Sequence, residues 1–205
     1  MATWQRHLQG LLQKHGRDRT IGYYALSTLS DTKPLQPRVR TVVHRGFVQG
    51  SSPECDWLLT TTDGRSAKFQ EINAFPSVEL AWYIAPAQAQ FRIRASAYLV
   101  SQSVHGKLSV PDALHGASMD WGAERRRTWQ ALSDALKDAF FGHASGKPLE
   151  KEMTASEVVQ IDGIPVSFAL VVLVPHYVDL VELAQMQRTI FSEENGVWSS
   201  QGVAL

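Results

Sequence analysis

The sequence is poor in the features that most often announce a function. It holds a single cysteine, Cys55, so no intramolecular disulfide can form and no thiolate metal site can be assembled. Neither sign of charge is in excess, because 20 basic and 20 acidic side chains cancel. That balance removes a general attraction to nucleic acid or to an anionic membrane as the basis of partnership, although cations can still cluster locally. Long apolar runs are missing as well: the longest, around Phe168–Val174, is far too short to span a bilayer. The opening Met1-Ala2-Thr3-Trp4-Gln5-Arg6-His7 has no apolar stretch of the kind a secretory leader carries. These absences predict a cytoplasmic protein with neither a membrane nor a nucleic acid as partner.

Catalytic signatures are equally scarce. The seven histidines, His7, His15, His44, His105, His115, His143 and His176, show no H-x-x-x-H or other helix-paired spacing, so no metal site is expected. There is no G-x-S-x-G elbow, no P-loop and no G-x-G-x-x-G after a strand. Ser30-Asp31-Thr32-Lys33 has S-x-x-K spacing but falls in a turn without companion motifs. No catalytic residue is assigned.

What the chain does have is enough apolar material, 44% of 205 residues, to build one core, and a single domain over 1–205 is expected. Thr3 is a candidate N-cap. Trp4, Leu8, Leu11 and Leu12 then recur at helical spacing before Gly16, which reads as an amphipathic helix packed on the domain. Strand patterns follow over Ile21–Leu29, Arg38–Phe47, Trp57–Thr62, Val78–Ile84 and Phe91–Val100, with a short helix over Arg65–Asn73. Residues 101–160 form a helical insert, with Glu124–Phe141 as a helix carrying Trp129, Leu132, Leu136 and Phe140 on one stripe. A polar loop follows over Gly142–Lys151. Strands return at Val166–Val174, Tyr177–Leu183, Arg188–Ser192 and Val197–Val203. The fold class is mainly β (α+β), a small barrel with helices packed on it.

Candidate binding groups gather at strand ends. Arg40 and Arg45 bracket Thr41-Val42-Val43-His44, and Thr61-Thr62-Asp63-Gly64-Arg65-Ser66-Ala67-Lys68 runs from a strand through a tight loop into a helix. A helix N-terminus with a hydroxyl (Ser66) and cations (Arg65, Lys68) in one turn suits a phosphate monoester; the other reading is a solvated charged turn. Because Arg40 and Arg45 have opposite parity on a regular strand, both can reach one anion only if the strand bulges or ends near His44. Gln90, ahead of Phe91 and Arg92, carries an amide able to donate to and accept from a heterocycle edge. Arg188 precedes Trp198 by ten residues and, taken alone, reads as a surface arginine.

In this order the pieces resemble the pyridoxamine 5′-phosphate oxidase-like family of FMN-binding split barrels, over roughly Tyr23–Tyr98 and Phe168–Val203. Arg40-Thr41-Val42-Val43-His44-Arg45 is similar to the family's R-x-V-L-L-K strand. Thr61-Thr62 and Ser66-Ala67-Lys68 resemble its Y-T and S-R-K segments, and Asn73-Ala74-Phe75-Pro76 falls at its N-P turn. Gln90-Phe91-Arg92 resembles R-Q-V, and Arg188 with Glu194-Asn195-Gly196 and Trp198 resembles the C-terminal R-x-x-x-x-x-E-N-x-x-W stretch. R-T-V-V-x-R-G-F, T-D-x-R-S-x-K and Q-F-R-I bring it nearest to the oxidase-related branch.

The resemblance implies an FMN cofactor. Arg40, Thr41, Val42, Val43, Arg45, Thr61, Thr62, Arg65, Ser66 and Lys68 would lie around its phosphate, Gln90 and Arg92 near the ring edge, and Arg188 near the pyrimidine side. It also implies a homodimer with flavin between the subunits. Where the family's substrate-holding R-x-H-x-R stands, this chain has Ala184-Gln185-Met186-Gln187-Arg188. The flavin-contacting tryptophan of the preceding strand is replaced by Val181 or Leu183. Pyridoxal phosphate synthesis is therefore not expected. The implied function is an FMN-dependent oxidoreductase on an unidentified small molecule; the alternatives are a flavin-binding carrier or sensor without turnover, and a barrel that has lost the cofactor and acts as an interaction module.

Overall fold

The computed structural model describes residues 3–48, 56–117, 119–143, 146 and 158–205. Cys55 and most of the polar loop expected over 142–151 lie outside them. A sheet runs in the order β11-β10-β9-β5-β4-β1-β2, with β3 on β9 and the short β6 (Leu108–Ser109) on β5. The strands are β1 (Tyr23–Leu29), β2 (Pro37–Val43), β3 (Leu58–Asp63), β4 (Ser77–Ile84), β5 (Ala89–Gln102), β9 (Phe168–Glu182), β10 (Gln187–Glu194) and β11 (Val197–Val203). A separate two-stranded ribbon joins β7 (Gln160–Ile161) to β8 (Ile164–Pro165).

The sheet closes on itself. Arg45 N donates to Leu59 O at 2.8 Å and Leu59 N to Gly46 O at 2.9 Å, which ties the chain after β2 to β3 and completes a barrel β2-β1-β4-β5-β9-β3. Strict alternation explains its interior. In β4, Val78, Leu80, Trp82 and Ile84 are buried while Ser77, Glu79, Ala81 and Tyr83 face out, as a period of two requires. Trp82 also donates its indole N–H to Ile21 O at 2.7 Å, so its one polar atom is satisfied inside the core.

Two expectations change on inspection. The segments expected as separate strands before and after Pro175 are one strand, β9, because it carries one extra residue, His176, where its register with β5 shifts between Arg94 and Ala95. That bulge accommodates a proline that cannot donate to the ladder. The single helix expected over Glu124–Phe141 is two, α3 (Trp121–Gln130) and α4 (Asp134–Ala139). Asp120 Oδ1 accepts from Ala123 N at 2.9 Å and starts the first, and Ser133 occupies the N-cap position of the second. The break turns Leu136 outward to 43% exposure, while Trp129 and Leu132 stay buried.

The helices cover the barrel. From α1 (Thr3–Lys14), Trp4 and Leu8 are fully buried in the barrel's main cluster, so the N-terminal helix packs as expected. Helices α3 and α4 cover the outer side of β3 and β9, where Trp129 and Phe140 meet Phe168 edge-on at 5.1 and 5.3 Å. Helix α2 (Ala67–Ala74) sits against β1, β3 and β5. The hairpin β10–β11 turns on Asn195 and Gly196, both at positive φ. Trp198 in β11 donates its indole N–H to Asp56 at 2.6 Å, fastening this flank to the chain before β3. Among the described residues no helix is long and apolar enough to cross a membrane.

Leu80 is fully buried at the centre of this core. Leu80→Ala is expected to lower the unfolding free energy by about 2–5 kcal/mol, read from the midpoint of a urea titration at unchanged slope.

Candidate functional site

Strand β2 stops at Val43. Beyond it His44 N still donates to Gly22 O at 2.8 Å, but Gly46, at φ +111°, lets the chain swing from β1 toward β3. Arg45 is thereby released from strand alternation, which removes the parity conflict with Arg40. Both guanidinium groups lie close enough to Lys68 to depress its pKa.

Arg40 is anchored from below. It donates to Glu71 and to Thr28 Oγ1, and the Thr28 hydroxyl donates to the same Glu71 carboxylate. Glu71 is 4% exposed, so this is a buried, shared carboxylate that orients Arg40. Lys68 lies one turn before Glu71 on α2 and is largely enclosed, with its ammonium donating to Thr61 O at 2.9 Å. Burial chiefly, and then Arg40 and Arg45, bring its pKa down from 10.5 to about 8. Burial also lowers Arg45, whose Nε is buried without a hydrogen-bond partner. Three cations thus converge with only one carboxylate, on Arg40, among the ion pairs of the described residues. An arrangement whose own charges oppose one another is built to be completed by an anion.

The turn beside it is rigid. Asp63 accepts from Arg65 N at 2.8 Å, Gly64 N donates to Ser167 O at 2.6 Å, and Ser66 Oγ caps Phe69 N at 3.4 Å. Thr62 Oγ1 lies 3.0 Å from Ser66 Oγ. Arg65, however, is engaged elsewhere: its guanidinium pairs with Asp63 and donates to the carbonyls of Gly142 and Phe140 at 2.9 and 3.1 Å. Of the remaining strand residues, Thr41 is exposed, Val43 and Thr61 are half-buried and Val42 is buried.

A second group sits on the outer face of the sheet. Gln90 is in register with Tyr83 on one side and Val181 on the other, and Val181 is opposite Arg188. One row along, Arg92 faces Asp179. Asp179, 6% exposed, pairs with Arg92 and takes a two-pronged contact from Arg188, at 3.0 Å for each oxygen. No hydrogen bond or ion pair among the described residues joins this group to Arg40, Arg45 and Lys68. In the sheet order Gln90 is separated from Arg40 by β4 and β1, about 14 Å of strand spacing.

Sequence reasoning missed the two carboxylates that orient these arginines. Glu71 was legible as the residue three after Lys68 on the same helix, and Asp179 as the acid interrupting an otherwise apolar strand. Arg125, on α3, is 3% exposed and donates to the carbonyls of Phe168 and Pro165 and to Gln102.

Residues 1–101 match the family model described as pyridoxamine 5′-phosphate oxidase, FMN-binding domain. The first half of the chain thus carries the FMN-binding domain of the pyridoxamine 5′-phosphate oxidase-like family. Over its whole length it superposes on a pyridoxamine 5′-phosphate oxidase-related, FMN-binding protein from Nostoc punctiforme, with a TM-score of 0.80 at 29% identity, covering 99% of that chain. A pyridoxine/pyridoxamine 5′-phosphate oxidase 2 of Arabidopsis thaliana is 29% identical over 195 residues, 94% of this chain and 89% of the relative. PhzG of Burkholderia lata, solved with tetrahydrophenazine-1-carboxylic acid, has a TM-score of 0.69 at 14% identity, covering 99% of this chain and 91% of that one; it shares the fold. FMN is accordingly the cofactor of this split barrel, and the unbalanced cations with the orphaned Arg45 Nε fit its phosphate.

The depressed Lys68 fixes a pH dependence. Its folded pKa, about 8, lies below the ordinary 10.5, so between those values the unfolded chain binds more protons than the folded one. Stability contributed by this site therefore rises with pH across that window. The ligand-free protein is expected to gain stability relative to Lys68→Met between pH 8 and 10, with no relative change from pH 6 to 7, measured by urea unfolding at each pH.

Proposed function

We propose that this protein is a cytoplasmic, FMN-dependent oxidoreductase acting on a small molecule other than a pyridoxine phosphate, with its cofactor phosphate held by Arg40, Arg45, Ser66 and Lys68. The observation that carries the proposal is the convergence of Arg40, Arg45 and Lys68, its pKa brought down to about 8, around a position where Glu71, on Arg40, is the one carboxylate among the ion pairs of the described residues. Thr41 to Val43 and Thr61-Thr62 wall that position, and Arg65 stiffens it through Asp63 rather than by reaching in. FMN supplies the redox chemistry, and the chain orients it. Gln90 presents an amide to the ring edge. Arg188, with Arg92 behind the shared Asp179, places fixed positive charge at the pyrimidine side.

The assembly we favour is a homodimer. The phosphate group and the Gln90 group occupy different parts of one protomer, and the side chains around Gln90 are apolar and open: Tyr83 at 48%, Leu183 at 46% and Met186 at 71% exposure. A second copy would cover them and bring the two groups together across the interface. The same open, uncharged positions Ala184 and Met186 offer no cationic clamp for a substrate phosphate, which disfavours pyridoxal phosphate synthesis. They also support a flavin carrier or sensor as the second reading, separated from the first by whether any donor bleaches the bound flavin.

Protein purified from a flavin-replete host is expected to be yellow, dimeric by light scattering and to release FMN on denaturation. A colourless monomer that takes up no added FMN would sink the assignment. Lys68→Met and Arg40→Met are each expected to weaken FMN binding about 10- to 100-fold, the cost of losing a charge-assisted contact, with Gln90→Leu losing less. Wild-type affinity should fall as pH rises above about 8, as the Lys68 ammonium loses its proton.

A further inference from the structure

Among the cations of the cradle only Lys68 can lose its proton and act as a nucleophile, because an arginine stays charged. It stands in the first turn of α2, two residues after the Ser66 cap, and is half-buried rather than sealed. Its ammonium group donates to Thr61 O at 2.9 Å, which fixes Nζ at the end of a long side chain. Arg40, on β2, and Arg45, just beyond it, lie close enough to repel its charge. Glu71, one turn further along the helix, is committed to Arg40 and Thr28. Arg65 is committed to Asp63 and to the carbonyls of Phe140 and Gly142.

Two consequences meet at Nζ. Enclosure and the two guanidinium groups bring its pKa down to about 8, the condition under which a lysine becomes a nucleophile. A neutral amine still has protons to give, so it can keep the Thr61 bond while its lone pair meets a carbonyl carbon. The same two guanidinium groups attract a phosphate, so an aldehyde that carries one is delivered to the amine. The arriving phosphate does favour the ammonium. A full return to 10.5 would cut the neutral share near pH 8 on the order of 100-fold. Well-oriented groups, by contrast, react as though at about 10⁵ M or more, and proximity wins.

We propose that Lys68 is a covalent capture site for small phosphate-bearing aldehydes, with Arg40 and Arg45 holding the phosphate while Nζ forms a Schiff base. The lone pair of Nζ adds to the carbonyl carbon. The two nitrogen protons pass to the carbonyl oxygen, which leaves as water when the C=N bond forms. Capture at Lys68 rests on the reading of this group as a phosphate cradle and adds a reaction to it. FMN and the aldehyde compete for one place, so a loaded cofactor protects the lysine.

The test treats the flavin-free protein at about pH 8, the pKa of Lys68, with glycolaldehyde phosphate and sodium cyanoborohydride. The reductant delivers hydride to the imine carbon and makes the adduct permanent. Peptide mass mapping is expected to place one adduct per chain on Lys68, ahead of the exposed Lys14 and Lys33. Unphosphorylated glycolaldehyde should label Lys68 about 10-fold more slowly, and inorganic phosphate should suppress the reaction of the phosphorylated probe alone. Arg45→Met should bring the two rates together, with near-UV circular dichroism checking that the variant is folded. Equal rates for the two aldehydes in the unsubstituted protein, labelling no faster than at Lys14 and Lys33, or indifference to inorganic phosphate would each overturn the proposal. FMN uptake is followed separately by quenching of flavin fluorescence. Uptake without capture overturns this site alone, and capture without uptake overturns the cofactor reading alone.

Discussion

The pairing of β5 with β9 is the constraint on which the rest of the structure depends. The two strands run against each other from Ala89↔Glu182 to Val100↔Leu170, well beyond the length of β3 or β10. The outer edge of β9 is consequently divided. Its first half, Phe168–Leu173, carries β3 and closes the barrel, and its second half, Tyr177–Glu182, carries β10 and opens the flank. The slip between Arg94 and Ala95, with Pro175 opposite, marks the change from one role to the other. Because β5 and β9 stay in register beyond that slip, Gln90, Arg92, Asp179 and, through Val181, Arg188 share one sheet face without any loop having to place them.

The chain handles positive charge in two distinct ways, and the contrast separates scaffold from site. Arg65 has Asp63 and Arg127 has Glu124, and each such pair fixes a direction and leaves little net field, whereas Arg92 and Arg188 share the one Asp179 and keep a positive charge between them. Arg45, Lys68 and Arg125 form no ion pair among the described residues, and burial lowers the pKa of each. In a protein of zero net charge, three enclosed cations without an ion pair among the described residues concentrate positive charge locally. The repulsion that Lys68 meets beside two guanidinium groups would be relieved by a dianion between them.

Most of the architecture was legible because it rests on local pattern. The alternation in β4, the Gly64 turn, the Ser66 cap and the amphipathic α1 are all written in adjacent residues. What pattern could not supply were the long-range choices. Continuity of β9 past Pro175 depends on a bulge at His176 against β5, a partner distant in sequence. The break between α3 and α4 depends on Trp129 and Phe140 both reaching Phe168 from separate helices. The cation group was readable as a set of residue types, but not that Arg65 would be drawn off to the carbonyls of Phe140 and Gly142, since nothing near Arg65 in sequence announces them. Nor could spacing reveal that Trp198, in a stretch that resembles a cofactor-binding signature, spends its indole N–H on Asp56.

One short turn serves both the cation group and the core. Lys68 and Phe69 are consecutive on α2, so their side chains diverge by about 100° around the helix axis, Lys68 toward the cations and Phe69 toward the buried cluster of the barrel. Everything that fixes the turn acts on both: the Asp63–Arg65 pair, the Gly64–Ser167 bond and the Ser66 cap. Ser167 stands one residue before β9 and holds the turn through its carbonyl, which accepts from Gly64 N at 2.6 Å. The start of β9 is thereby fastened to the cap, two residues after Gly64, that starts the helix carrying Lys68.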